Sequence, residues 1–291
     1  MKVLVLGEGG QLSTELLSTQ RKKGIELHQW GRKEWDLERP EAIEDLLKNL
    51  RPDVVINAAA YTAVDRAEEE EGKAYGINAL AVEALAKACA TCNCRLLQVS
   101  TDFVFDGTAS VPYLSTDTTS PLGVYGMSKR KGEESVLKHL PRTGVIIRTS
   151  WLYSAHGNNF VKTMLRLMKE KDSLGVVSDQ RGCPTWARGL AECLWDMCEA
   201  NQLSGVYHWC DEGVISWHDF AVAIQEEAFS LGILEKKIPV GAISTEEYPT
   251  PARRPSFSAM DCSSTVEGTG VAQRPWRDSL IEMLISLKAQ G

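Results

Sequence analysis

An apolar run, Lys2–Leu6, opens straight into Gly7-Glu8-Gly9-Gly10, and Gln11–Thr19 then reads as the start of a helix. This order of strand, glycine turn and helix constrains the fold more than any other feature of the chain. The first N–H groups of a helix have no partner within it, and its dipole puts positive charge at that end. Glycines in the preceding turn let a pyrophosphate approach the main chain, so the junction reads as an anion cradle.

The same rhythm recurs. Ile25–Trp30, Asp53–Asn57, Arg95–Ser100 and Val145–Ile147 read as further strands. Between them Ile43, Leu46, Leu47 and Leu50 recur at helical spacing until Pro52 breaks the pattern, and residues 74–90 are rich in Ala and Leu. Strands alternating with helices predict a parallel sheet covered on both faces, with ligands beyond the carboxyl ends of its strands. After residue 148 the pattern loosens into helical stretches near 160–170, 187–200, 217–231 and 276–288. Loops carrying Cys183-Pro184-Thr185, Pro249-Thr250-Pro251 and Arg254-Pro255 separate them. The expected fold is α/β, a Rossmann-type doubly wound parallel sheet with a smaller interleaved lobe.

Composition removes several classes. The net charge of −7 argues against nucleic acid or an anionic membrane as partner. No apolar run approaches the ~20 residues of a membrane span, and Val3–Leu6 is too short for a signal-peptide core. Cys89-x-x-Cys92 lacks the second pair or nearby histidine that a zinc site needs, so no metal site is expected there. The eight cysteines suggest no secreted disulfide framework, and the expected setting is the cytoplasm.

Within the turn the spacing is Gly7-x-x-Gly10-x-x-Ser13, with serine where a third glycine normally permits close helix–strand packing. The first helix is therefore expected slightly further out. NAD enzymes usually carry Asp or Glu at the tip of the second strand, for the ribose 2′-hydroxyl. Here the tip reads His28-Gln29-Trp30-Gly31-Arg32. A tip without a carboxylate, followed by Arg32, favours a 2′-phosphate, hence NADPH, with NADH as a possible second donor. Asp36 and Leu37 would edge the adenine pocket. Residues 1–147 are expected to form the NADP(H)-binding domain, with later segments returning to it, and 148–291 mainly the substrate lobe.

The chemistry points to Thr101, Tyr125 and Lys129. Tyr125 and Lys129 lie four apart and share one face of a helix. A free phenol, with a pKa of ~10, is a poor acid–base group at neutral pH. A neighbouring ammonium is expected to lower it, letting Tyr125 protonate a carbonyl oxygen as hydride reaches the carbon. Thr101, at the end of the fourth strand, would hydrogen-bond the same oxygen. Sugar-nucleotide dehydratases commonly place Asp-Glu directly after that threonine. Here Asp102-Phe103 follows, so simple carbonyl reduction is expected.

These residues resemble the dTDP-4-dehydrorhamnose reductases, of the extended short-chain dehydrogenase/reductase superfamily. The likeness runs through Gly7–Leu12 (GEGGQL), Asn57–Glu68 (NAAAYTAVDRAE), Ser100–Gly107 (STDFVFDG) and Tyr125–Lys129 (YGMSK). It continues through Arg148–Tyr153 (RTSWLY), Gly157–Phe160 (GNNF), Asp179–Thr185 (DQRGCPT) and Tyr248–Pro255 (YPTPARRP). The resemblance implies reduction of a dTDP-linked 4-keto sugar to dTDP-L-rhamnose for cell-surface polysaccharide. It implies Gly10, Gln11 and Leu12 at the pyrophosphate, and Ala59, Ala60, Tyr61 and Thr62 along the cofactor. Val64, Asp65, Arg66 and Trp151 fall where the family contacts the sugar nucleotide. Arg181, Arg253 and Arg254 lie in loop-like stretches and would suit a diphosphate clamp. Some relatives use glutamates for divalent metal at a dimer interface. Glu15 and Glu192 stand at comparable places, but no metal site is assigned, and a homodimer is left open. Two alternatives remain: reduction to a neighbouring sugar such as the talose epimer, or a non-catalytic role. The regulatory subunit of methionine adenosyltransferase shares this fold, and fold does not fix function.

Overall fold

The structure is a computed structural model that describes residues 1–20 and 23–290. Its strands are β1 (Lys2–Leu6), β2 (Glu26–Trp30), β3 (Val54–Asn57), β4 (Arg95–Thr101), β5 (Gly144–Thr149), β6 (Leu152–Tyr153), β7 (Leu174–Val177), β8 (Arg181–Gly182), β9 (Thr185–Trp186), β10 (Gly205–His208), β11 (Ile215–Ser216) and β12 (Val240–Ile243). The helices are α1 (Gln11–Thr19), α2 (Ile43–Leu50), α3 (Val64–Ala67), α4 (Glu71–Tyr75), α5 (Ala81–Cys92), α6 (Val124–His139), α7 (Phe160–Glu170), α8 (Ala187–Glu199), α9 (Trp217–Ser230), α10 (Ser263–Thr269) and α11 (Trp276–Lys288).

Six parallel strands form the main sheet in the order β10-β5-β4-β3-β1-β2. Its central strands β1, β3 and β5 are largely apolar because both faces are covered, while the edge strand β2 is polar and only part-buried. Val3, Val5, Val54 and Ile56 pack with Leu12 and Leu16 of α1 and Leu190 and Leu194 of α8. On the other face Leu4, Val55 and Leu96 meet Ile43 and Leu47 of α2, Leu85 of α5 and Val136 of α6. The strand order reverses direction between β1 and β3, which opens the crevice where doubly wound sheets bind ligands.

The second half of the chain divides between two bodies of core. Helix α8 lies on α1, and β10 extends the sheet beside β5. A separate cluster gathers Tyr153, Val161, Met164, Leu165, Phe220, Ile224, Leu280 and Met283 from β6, α7, α9 and α11. The expected Ala/Leu helix over 74–90 is interrupted: α4 and α5 are joined by a π-helical turn at Gly76–Leu80. The cause is Asn78. Its side chain accepts from Tyr61 N (2.9 Å) and donates to Tyr61 O and Ser128 Oγ (both 3.0 Å), locking this wall to the crevice. The turn presses so close to α6 that a Cβ at Gly132 would stand 2.2 Å from Asn78 O. Such turns are frequent at functional sites.

Candidate active site

A cleft of about 630 Å³ opens at the β1/β3 switch point. Gly7 forms its floor, with φ +107° and a Cβ position only 3.0 Å from Ala59 N; no other residue fits there. Gly10 caps α1 without a side-chain bond, so the first-turn amides stay open for an anion. Ser13 takes the third-glycine place in this turn. It is 1% exposed, and its Oγ donates to Gly7 O (2.5 Å) and Gly10 O (3.0 Å), tying the turn together.

Gly7, Gly10, Gln11, Leu12, Ala59, Ala60, Thr62 and Val64 line one side of the cleft, and Thr101, Tyr125, Lys129 and Trp151 the other. Beside Gly7 and Ala59 a smaller recess of about 160 Å³ is bordered by Arg32, Leu37, Trp30 and Glu8. Glycine floor, open amides and two joined recesses fit a dinucleotide. Asp36, expected at this edge, does not line the recess and instead lies 3.8 Å from Arg32 and 3.9 Å from Arg39. Tyr61 turns away: its hydroxyl donates to Glu70 Oε2 at 2.7 Å.

Three elements bring the chemical groups together. Thr101 ends β4, 5% exposed, and its hydroxyl donates to Asp102 Oδ1 and accepts from Phe103 N, both at 3.2 Å. Tyr125 begins α6, with Phe103 edge-on to its ring at 5.6 Å. Lys129, one turn on, donates from Nζ to Val99 O at 2.7 Å. The electrostatics reverse the expected tuning. Burial pushes the Tyr125 phenol up to about 12, opposed by the nearby Thr101 hydroxyl and aided by Asp102. Burial lowers Lys129 to about 8, while Glu133 pulls it upward. The ammonium spends its charge on a main-chain carbonyl, and desolvation dominates the phenol.

Behind Lys129 lies a charged pair that the sequence reading passed over. Glu133 and Arg148 are 3% and 4% exposed. Arg148 donates to Glu133 from Nε (2.9 Å) and Nη2 (2.7 Å), and Ser100 Oγ adds a bond of 2.5 Å. Glu133 sits four residues after Lys129, which was the available signal. Asp102, directly after Thr101, also lines the cleft. It is 2% exposed, burial raises it to about 6, and its Oδ2 has no partner within the protein.

On the sugar-nucleotide side Trp151, with φ +47°, stacks on Trp217 at 3.6 Å. Trp217, Arg254, Asp102 and Gln180 border a recess of about 30 Å³ beside the cleft. Asp65 engages Arg254 in a fork, accepting from Nη1 (3.0 Å) and Nη2 (2.9 Å). Arg254 accordingly holds the Asp65 carboxyl below its ordinary range. Arg66 is directed to Glu70, and Arg181 and Arg253 are exposed, away from the cleft. Glu15 is buried, 3.9 Å from His156, and Glu192 pairs with Arg188 at 3.3 Å. Among the described residues no cluster of three or more His, Cys, Asp or Glu could hold a metal ion.

A dinucleotide crevice flanked by a phenol, an ammonium and a strand-end hydroxyl defines a class, the extended short-chain dehydrogenases/reductases. The comparisons narrow it. The family described as RmlD substrate binding domain matches residues 1–289. The chain is 41% identical over 285 residues to dTDP-4-dehydrorhamnose reductase of Aggregatibacter actinomycetemcomitans, covering 96% of this chain and 97% of that protein. It is 38% identical to that of Escherichia coli K12, covering 99% and 98%. A crystal structure of a dTDP-4-dehydrorhamnose reductase from Clostridium acetobutylicum superposes with a TM-score of 0.92 at 38% identity, covering 99% of this chain and 100% of that one. The Bacillus anthracis reductase, solved in complex with NADP, gives 0.90 at 35% identity, covering 98% and 99%. The chain belongs to the dTDP-4-dehydrorhamnose reductase family.

Proposed function

We propose that this chain reduces the C4 keto group of dTDP-4-dehydro-β-L-rhamnose to give dTDP-L-rhamnose, a precursor of cell-surface polysaccharide, with NADPH as reductant. When bound, the cofactor supplies a hydride to the carbonyl carbon. Tyr125 gives its phenolic proton to the carbonyl oxygen, completing the alcohol. Thr101 donates a hydrogen bond to that oxygen and fixes its direction. Lys129 places positive charge beside the cleft wall through its hold on Val99 O. Arg254, positioned by Asp65, would meet the substrate diphosphate, and Trp151 would pack against the sugar nucleotide.

The observation that carries the reading is that Thr101, Tyr125 and Lys129 line one cleft with the glycine turn. A phenol pushed up to about 12 is fully protonated at neutral pH and is a loaded acid for a reductive step. Seven of the eight cysteines are buried thiols, which suits the reducing cytosol as the setting. A homodimer is the proposed assembly, to be read by sedimentation.

The test is NADPH oxidation by the purified protein with dTDP-4-dehydrorhamnose, followed by NMR of the product at C4. Tyr125→Phe should retain NADPH binding and lose roughly 10²–10⁴-fold in turnover. Turnover near wild type in that variant removes Tyr125 from its role. Absence of turnover with every dTDP-4-keto-6-deoxysugar leaves a non-catalytic protein, and a talose configuration moves the reading to the epimeric product.

A further inference from the structure

NADH and NADPH differ only at the ribose 2′ position, and proteins of this fold read that position at the end of the second strand. Along the sequence β2 ends without a carboxylate. The fold brings one from the glycine turn. A Cβ placed on Gly31 would lie 2.6 Å from Glu8 Oε2 and 3.0 Å from Glu8 Cβ, so the Glu8 side chain lies against the strand tip. The main chain pins it there, with Gly7 N and Glu8 N donating to Trp30 O at 3.0 and 3.2 Å. Glu8 borders both the cleft and the adenine-side recess.

Arg32, the cation that lines this recess among the described residues, is already engaged, and its exposed neighbour Lys33 does not line the recess. Arg32 donates from Nη2 to Glu38 at 2.8 Å and has Asp36 at 3.8 Å. Gly31 N donates to Glu34 Oε2 at 2.9 Å. Of the other cations, Arg39 lies 3.9 Å from Asp36 and Lys73 lies 3.6 Å from Glu38. Four carboxylates therefore gather at the tip of β2, Glu8 and Glu34 at Gly31 and Asp36 and Glu38 at Arg32.

We propose that Glu8 sets the balance between NADH and NADPH in this chain. Its carboxylate accepts a hydrogen bond from the ribose 2′-hydroxyl of NADH and repels the 2′-phosphate of NADPH, so both donors are used. The inference rests on the reading that the cleft takes a nicotinamide dinucleotide.

Equilibrium binding of NADPH, NADH, adenosine 2′,5′-bisphosphate and AMP to wild type and Glu8→Gln, by calorimetry at low salt, tests it. Glu8→Gln should tighten NADPH and adenosine 2′,5′-bisphosphate about tenfold, ~1.4 kcal/mol, and weaken NADH severalfold. The gain should shrink as salt screens it. Equal shifts for phosphorylated and unphosphorylated ligands, or none beyond twofold, overturn the role of Glu8 while leaving the dinucleotide reading intact. Failure of wild type to bind either dinucleotide overturns both.

Discussion

Removing the Glu133 carboxylate should cost far more than a surface charge, because Arg148 has nowhere else to turn. A guanidinium cannot shed its proton. In Glu133→Ala it would stay charged, 4% exposed, 5.1 Å from the Phe105 ring and 3.5 Å from His208 Nε2. His208 offers no help, since burial and then Arg148 drive its pKa down to about 3 and the ring is neutral. Breaking one side of such a buried pair costs about 3–5 kcal/mol. Set against a total stability of roughly 5–15 kcal/mol, that is about a fifth or more. Urea titration of the single variants and of Glu133→Ala/Arg148→Met measures it. The double variant should cost clearly less than the sum of the singles, because it deletes the stranded charge. A loss below about 1 kcal/mol in Glu133→Ala, or strict additivity in the cycle, would refute the claim that the pair is coupled and dry. The same carboxylate supports Lys129, so Glu133→Gln, which keeps the volume, should move the alkaline loss of activity to lower pH.

That alkaline limb is itself a prediction. Lys129 is lowered from 10.5 to about 8 in the folded protein, so kcat/KM should fall as the pH rises through about 8, and the phenol near 12 should play no part. Unfolding does not explain such a fall. Between those two lysine values the unfolded chain binds the extra proton, so this group makes stability rise with pH while activity declines; parallel loss of both in a pH series of activity and melting would contradict it. Asp65→Asn should leave stability within about 1 kcal/mol, because the fork to Arg254 is part-exposed. It should raise KM for the sugar nucleotide severalfold with little change in kcat, and an unchanged KM would take Asp65 out of positioning Arg254. The Asp65 pKa is lowered, so the fork holds above the ordinary carboxylate range and is lost only as the pH falls below it.

What the sequence made legible is local. Strands β1, β3, β4 and β5 coincide with short apolar runs because burial on both faces leaves no alternation to confuse them. The Rossmann-type sheet follows from their rhythm. Elements made by partners distant in the chain were not legible: Gly205–His208 is too short a run to announce that it pairs with Val145–Arg148. The π-helical turn depends on Asn78 reaching Tyr61 and Ser128, 17 and 50 residues away. Trp217 gives no hint in its own segment that it stacks on Trp151.

The site divides along the same line. Thr101, Tyr125 and Lys129 were readable because a strand end and an i, i+4 pair are local geometry, whereas the sign of their tuning was not. Placing an ammonium four residues from a phenol suggests attraction between phenolate and cation, but the effect depends on where Lys129 Nζ points and how much water the surroundings exclude. Nζ points at Val99 O, and burial raises the phenol instead. The cofactor end shows the same gap between list and contact. A search at the carboxyl end of β2 for an acid finds none, yet Glu8 arrives there from the turn after β1. Side-chain identity at a strand tip therefore predicts cofactor choice only when no neighbouring strand can deliver its own charge to the same place. In a parallel sheet whose adjacent strands end side by side, as β1 and β2 do from Lys2↔Glu26 to Leu6↔Trp30, that delivery is built into the register.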